Sequence, residues 1–263
     1  KPTTELGNGN VPKGAKFVEI AIKNFNEKFP LTSGVRVETS SEFSSKLGFG
    51  SSSASTVCVI KALSELTGYK LDNKTLFELA YKTVLDIQGK GSGFDVAAAI
   101  YGGTLYFLTG GKVIEPLEIG ELPLVVGYSG IKADTVTLLN QVSELTNKNP
   151  DLVEGIYNKM KDLVEEAKKA LLSKSWIELG GLMTKDQELL KKLGVSTEKL
   201  NAMTSAACSA GAYGAKLSGA GGGDCMIALA PSDKMNKVQK NIQGAGGEVI
   251  NIRTNVKGAS IEH

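Results

Sequence analysis

Apolar residues along this chain recur at two spacings, and the alternation between them sets out the elements. GVRVETS (34–40) carries an apolar residue at every second position over its first half, which predicts a strand. From about Ser53 to Leu66 the spacing changes to that of a helix, with Val57, Ile60, Ala62 and Leu63 on one face, and NKTLFELAYKTVLDI (73–87) repeats the helical pattern. GGTLYFL (102–108) and LPLVVGYS (122–129) return to strand character. From Ala133 to Ala210 the pattern is helical, with breaks near Lys148–Pro150, Ser173–Ser175 and Gly194–Thr197. The end reads as strand (CMIALA), helix (SDKMNKVQKNIQ), strand (EVINIR) and strand (VKGASIE), a small α+β layer with helices on one face of an antiparallel sheet.

Three small-residue segments interrupt this pattern. In KLGFGSSSAS (46–55) two glycines and four serines lead into a helix, so the segment reads either as a phosphate-binding loop or as a helix capped by serine. In QGKGSGFDVAAAIYGG (88–103) Asp95 follows a glycine-serine turn; a carboxylate there is either a base for a hydroxyl nucleophile or an N-terminal acid satisfying backbone donors. In AKLSGAGGGDCMIALA (215–230) four glycines crowd into one turn, more than a hairpin needs, which points to close approach of backbone and ligand. The charge runs KMKDLVEEAKK and TKDQELLKK read as solvated helix faces.

Charge and composition narrow the chemistry. With 30 Lys and Arg against 28 Asp and Glu, the net charge of +2 gives no basic field for nucleic acid, and a small molecule is the expected partner. No apolar run approaches the roughly 20 residues that span a bilayer, so no membrane partner is expected. Cys58, Cys208 and Cys225 form no CxxC pair and read as buried free thiols, which points to a reducing, cytoplasmic setting. The only histidine is His263, at the end of the chain, which argues against a Ser-His-Asp triad or a histidine metal site. Carboxylates, lysines, hydroxyls and backbone N–H groups remain, a set that suits phosphoryl transfer.

GFGSSSAS resembles the GLGSSAA loop of the GHMP small-molecule kinases, GSGFDVAAAIYGG resembles their catalytic-aspartate segment, and KLSGAGGGDC resembles their C-terminal glycine loop. Residues 182–223 and GYSGIKADT (127–135) are similar to the same regions of archaeal-type mevalonate kinases. The resemblance implies an α+β fold, with an N-terminal part like ribosomal protein S5 domain 2 (1–130) and a ferredoxin-like C-terminal part (131–263), the site lying where their glycine loops converge. It implies ATP and Mg2+ as cofactors, mevalonate as substrate with phosphomevalonate as the alternative, and it allows a homodimer. Gly48, Gly50, Ser51, Ser52 and Ser53 would hold the ATP phosphates, and Ser52 would also reach the metal. Asp95 would be the catalytic base, and Thr135, Gly219, Ala220 and Gly221 would meet the substrate; Lys216 is either a further cation of the site or a structural lysine.

Two departures accompany the resemblance. The family's first motif, a PGK…GEH-like stretch, does not occur in this sequence, so the expectations include a fragment or a folded but inert homologue. The family's magnesium-binding glutamate falls at Val84, and Asp86, two residues on, is turned by about 200° around a helix. That second departure, together with Asp224, is shared with phosphomevalonate kinases.

Overall fold

A computed structural model of the chain describes residues 13–41 and 47–262, leaving Lys46 and His263 outside the described residues. By packing, the chain forms two compact units: residues 13–41, 49–118 and 255–262 make one, and residues 47–48 and 119–254 the other.

The first unit is built on helices. In α1 (Lys13–Lys28) Phe17, Ala21 and Phe25 recur every fourth residue and are fully enclosed. They pack with Val57, Ile60 and Leu63 of α2 (Ser51–Thr67) and with Leu76, Phe77 and Ala80 of α3 (Asn73–Gln88) in one core. Ala62, expected on that face of α2, is exposed. The short α4 (Phe94–Tyr101) adds Val96, Ala97 and Ile100, and β1 (Thr104–Leu108) pairs antiparallel with β2 (Val113–Leu117) as a hairpin. Asn24 joins α1 to α3 by polar contacts: its amide donates to Thr83 and Asp86, and Lys82 donates to its carbonyl oxygen.

The stretch 34–40 departs from expectation, because it forms no strand. Its alternation is nevertheless real: Val35 and Val37 turn toward the core while Arg36 and Glu38 face solvent and pair with each other. Alternation specifies an extended segment with two unlike faces; a strand also needs a neighbouring backbone to bond. VKGASIE forms no strand either: the Val256 carbonyl accepts the Gly103 N–H and the Ala259 N–H donates to the Ala99 carbonyl, each at 2.8 Å, with an isolated bridge between Lys257 and Gly102 in place of a ladder.

The second unit carries β3 (Leu124–Tyr128), α5 (Thr135–Lys148), α6 (Pro150–Leu172), α7 (Trp176–Lys192), α8 (Glu198–Ser209), β4 (Gly214–Ser218), β5 (Cys225–Leu229), α9 (Met235–Gly244) and β6 (Glu248–Ile250). The strands form one antiparallel sheet in the order β4-β5-β3-β6. Met226 and Ala228 of β5 pack in one core with Met203 and Ala207 of α8 and Val238 and Ile242 of α9. Ile227 and Leu229, which alternate to the other side, meet Ala170 of α6 and Leu179 and Met183 of α7. Helices therefore cover both faces where one was expected. The unbroken apolar run of CMIALA is the sequence counterpart of a strand buried on both sides. Among the described residues no helix is long and apolar enough to cross a membrane.

Candidate active site

In the first unit the candidate residues start at the cap of α2. Gly50 is the N-cap, with φ 67° and ψ 29°, and no side chain caps the helix. Of the two readings of the serine-rich segment, the serine cap is therefore not what forms. Ser51, Ser52 and Ser53 occupy the first turn, and the first intrahelical bond runs from the Ala54 N–H to the Gly50 carbonyl at 2.9 Å. The N–H groups of the three serines precede any intrahelical acceptor and lie at the positive end of the helix dipole. That arrangement suits an anion.

Asp95 stands at the start of α4, whose N-cap is Gly93 at φ 88°. Its carboxyl lies against the cap of α2: a Cβ built on Gly50 would be 3.0 Å from Asp95 Cγ and 3.3 Å from Oδ1. Two helix N-termini thus meet at one half-buried carboxylate. The turn before Asp95 is held from below, where the Tyr81 hydroxyl donates to the Gly91 carbonyl (2.7 Å) and the Tyr81 ring, stacked on Phe77, lies under Gly93. From the hairpin tip, the Gly110 N–H donates to the Ser92 carbonyl at 2.8 Å.

Val84 is buried in the core of the first unit, while Asp86 points elsewhere, bound to Lys82 Nζ (2.8 Å) and the Asn24 amide (2.9 Å). Partial burial pushes the Asp86 carboxyl up, but the bonds from Lys82 and Asn24 outweigh it and hold the group below its ordinary 3.8. A side chain so engaged does not stand in for a carboxylate at Val84. Among the described residues no three His, Cys, Asp or Glu side chains cluster as a ready-made metal cage.

In the second unit the loop between β4 and β5 divides into two parts. Gly219 and Ala220 are exposed, and nothing lies within 4 Å of a Cβ built on Gly219. Gly221 and Gly222 instead rest on protein, the Val195 carbonyl being 2.2 Å from a Cβ placed on Gly221 and accepting the Gly222 N–H at 2.8 Å. The crowding of glycines thus serves close approach to the chain itself as well as leaving an open tip. Thr135 is the exposed first residue of α5, whose cap Asp134 accepts from the Thr137 N–H. Lys216 is tied to Asp186 (3.4 Å) and to the Leu217 carbonyl (2.8 Å), a structural lysine.

Within the second unit Asp224 and Cys225 hold residues 47 and 48, a role that the sequence reading did not give to either. Asp224 takes the left-handed conformation, φ 51°. Its N–H donates to Ile131 (2.7 Å) and its carbonyl accepts from Ser129 (2.8 Å), while its carboxylate accepts from the Ala133 N–H and pairs with Lys132. The same carboxyl occupies the space of a Gly48 Cβ, with Cγ 2.6 Å away, and the Cys225 thiol donates to the Leu47 carbonyl at 3.3 Å. An acid standing alone after a run of glycines was the available signal. Of the cysteines, Cys225 is buried as expected, but Cys208 is half-buried and Cys58 is exposed.

Two family models match the chain: GHMP kinases N terminal domain over residues 16–103 and GHMP kinases C terminal over residues 167–248. The chain belongs to the GHMP kinase family. Among its relatives, a mevalonate kinase of Pyrococcus horikoshii is 39% identical over 98% of this GHMP kinase and 78% of its own length. The solved mevalonate kinase of Methanococcus jannaschii is 28% identical with a TM-score of 0.74, covering 96% of this chain and 80% of that one. A phosphomevalonate kinase of Streptococcus pneumoniae shares the fold at 20% identity, with a TM-score of 0.76 over 93% of this chain and 82% of its own.

Proposed function

We propose that this GHMP kinase transfers the γ-phosphoryl group of ATP to the hydroxyl of mevalonate, forming 5-phosphomevalonate and ADP. The observation that carries the reading is the likeness to the Pyrococcus horikoshii mevalonate kinase, 39% identical over 98% of the chain, joined to the packing of Asp95 on Gly50. The N–H groups of Ser51, Ser52 and Ser53, with the flexible backbone of Gly48 and Gly50, bind phosphate oxygens. Asp95 accepts the proton of the substrate hydroxyl as that oxygen bonds to the γ-phosphorus and the bond to the β-phosphate oxygen breaks. The open tip at Gly219 and Ala220, with Gly221 behind it and Thr135 on α5, contacts the acceptor.

A hydroxyl in the first turn of α2 suits a hard cation that arrives already bound to phosphate, and Ser52 is the side chain we assign to magnesium. The metal would supply neutralisation of phosphate charge.

A second reading, phosphomevalonate as acceptor, is favoured by one feature, the buried Val84 where a carboxylate is expected. An assay coupling ADP release to a visible signal, run with mevalonate and with phosphomevalonate, tests both. Turnover of mevalonate supports the first reading, turnover of phosphomevalonate alone supports the second, and ADP release with neither removes both.

A further inference from the structure

The run TKDQELLKK looks solvated in sequence, yet Gln187 within it is only 3% exposed. Its amide bonds to three separate places. Nε2 donates to Ser196 Oγ at 2.9 Å and to Asn201 Oδ1 at 3.2 Å, and Oε1 accepts the Leu217 N–H at 2.8 Å. Ser196 Oγ donates in turn to Asn201 Oδ1 at 2.7 Å, closing a ring of three side chains.

Two of these attachments bracket the glycine loop. Leu217 lies in β4, two residues before Gly219, so the amide fixes where the loop departs. Ser196 follows Val195, whose carbonyl accepts the Gly222 N–H at 2.8 Å and leaves no room for a side chain at Gly221. The same amide therefore fixes the surface on which the loop lands. A buried amide with its donors and acceptor satisfied is costly to disturb, since removing it strands partners away from water. Its cost to the fold is met by holding one loop at both ends.

We infer that Gln187 is a positioning residue for the Gly219–Gly223 loop: through Leu217 on one side and Ser196–Val195 on the other, it sets where the exposed Gly219–Ala220 tip stands. This inference rests on the kinase reading above, in which that tip meets the acceptor.

Gln187→Glu and Gln187→Leu test it in the full chain, with Ser196→Ala as a milder variant should either fail to fold. Gln187→Glu keeps the acceptor for Leu217 but loses both donors, and Gln187→Leu keeps the volume and loses every bond. The first measurement is amide hydrogen exchange at Gly222 and Leu217 without any ligand, so it stands apart from the kinase reading. Gly222 should exchange at least about tenfold faster in Gln187→Leu and Ser196→Ala, with Leu217 also accelerated in Gln187→Leu, while amides of β3 remain as in the parent. The second is steady-state kinetics well below each melting temperature. The acceptor KM should rise about tenfold or more, with the ATP KM changed less than threefold. Unchanged Gly222 exchange in both Gln187→Leu and Ser196→Ala overturns the inference, as does a lowered melting temperature with an intact acceptor KM. A parent protein that releases no ADP with either acceptor points instead at the kinase reading.

Discussion

Asp95 Cγ lies 3.0 Å from the point where a side chain would begin on Gly50. The proposed base and the proposed phosphate loop are thus in van der Waals contact, with no atom to spare between them. A hydroxyl placed on Asp95 is by the same geometry beside the free N–H groups of α2.

Asp95→Asn should fold as the parent does and lose at least about a hundredfold in kcat, because the amide preserves shape while removing the base. Rapid-quench measurement of phosphoryl transfer, beside circular dichroism, checks both halves. Parent-like turnover would take Asp95 out of the chemistry.

Gly50→Val should impair ATP binding more than it impairs stability. The new side chain meets Asp95, and φ 67° is a conformation that β-branched residues resist. Ser52→Ala should leave melting nearly unchanged, since Gly50 and not a serine is the cap, and should slow metal-dependent turnover. Calorimetric ATP affinity and thermal melting on the two variants decide it; ATP affinity undiminished in Gly50→Val would end the phosphate-loop assignment.

Gly48→Ala places a methyl group where the Asp224 carboxyl stands, at a backbone φ of 76°. It should destabilise by about 1–3 kcal/mol, the left-handed backbone accounting for about 1–2 of these. Asp224→Gly removes the obstructing carboxyl and suits its own left-handed φ of 51°. In that background Gly48→Ala should cost about 1 kcal/mol less, a coupling typical of residues in contact. Urea titrations of the four proteins in the cycle give the number.

The Asp86 carboxyl titrates below its ordinary 3.8 through Lys82 and Asn24. A depressed carboxylate contributes stability in full above its unfolded-state value and loses it as pH falls through the folded value, so the contribution disappears below about pH 4. Asp86→Asn should therefore lower stability at pH 7 by the small amount a half-exposed ion pair adds, and converge on the parent at pH 3, which flattens the acid limb. Denaturant midpoints at pH 7 and pH 3 in parent and variant measure this.

What was legible in the sequence divides by the kind of interaction involved. The breaks at 148–150, 173–175 and 194–197 fall between α5, α6, α7 and α8, because caps and turn residues act locally. The Gly50 and Asp95 motifs were visible for the same reason. Strand 34–40 failed because pairing depends on a distant partner that alternation does not name. The helix α1, with Phe17, Ala21 and Phe25 in register, was legible and went unremarked, as did β2 and β4. Gln187 was misread as part of a solvated run, since its partners at Ser196, Asn201 and Leu217 come together only after α7, α8 and β4 have packed. Whether Asp224 was a spare acid or a clamp depended on Gly48, far away in the sequence.

The bond from the Cys225 thiol to the Leu47 carbonyl makes this cysteine a clock. Burial, with the charge of Asp224 beside it, pushes the thiol up to about 11, so at neutral pH it is held protonated and unreactive. Reagent can attack only when the start of β5 parts from residues 47 and 48 and admits water. The pace of alkylation at Cys225, read by peptide mass spectrometry apart from Cys58 and Cys208, thus counts how often the first glycine loop comes away from its anchor.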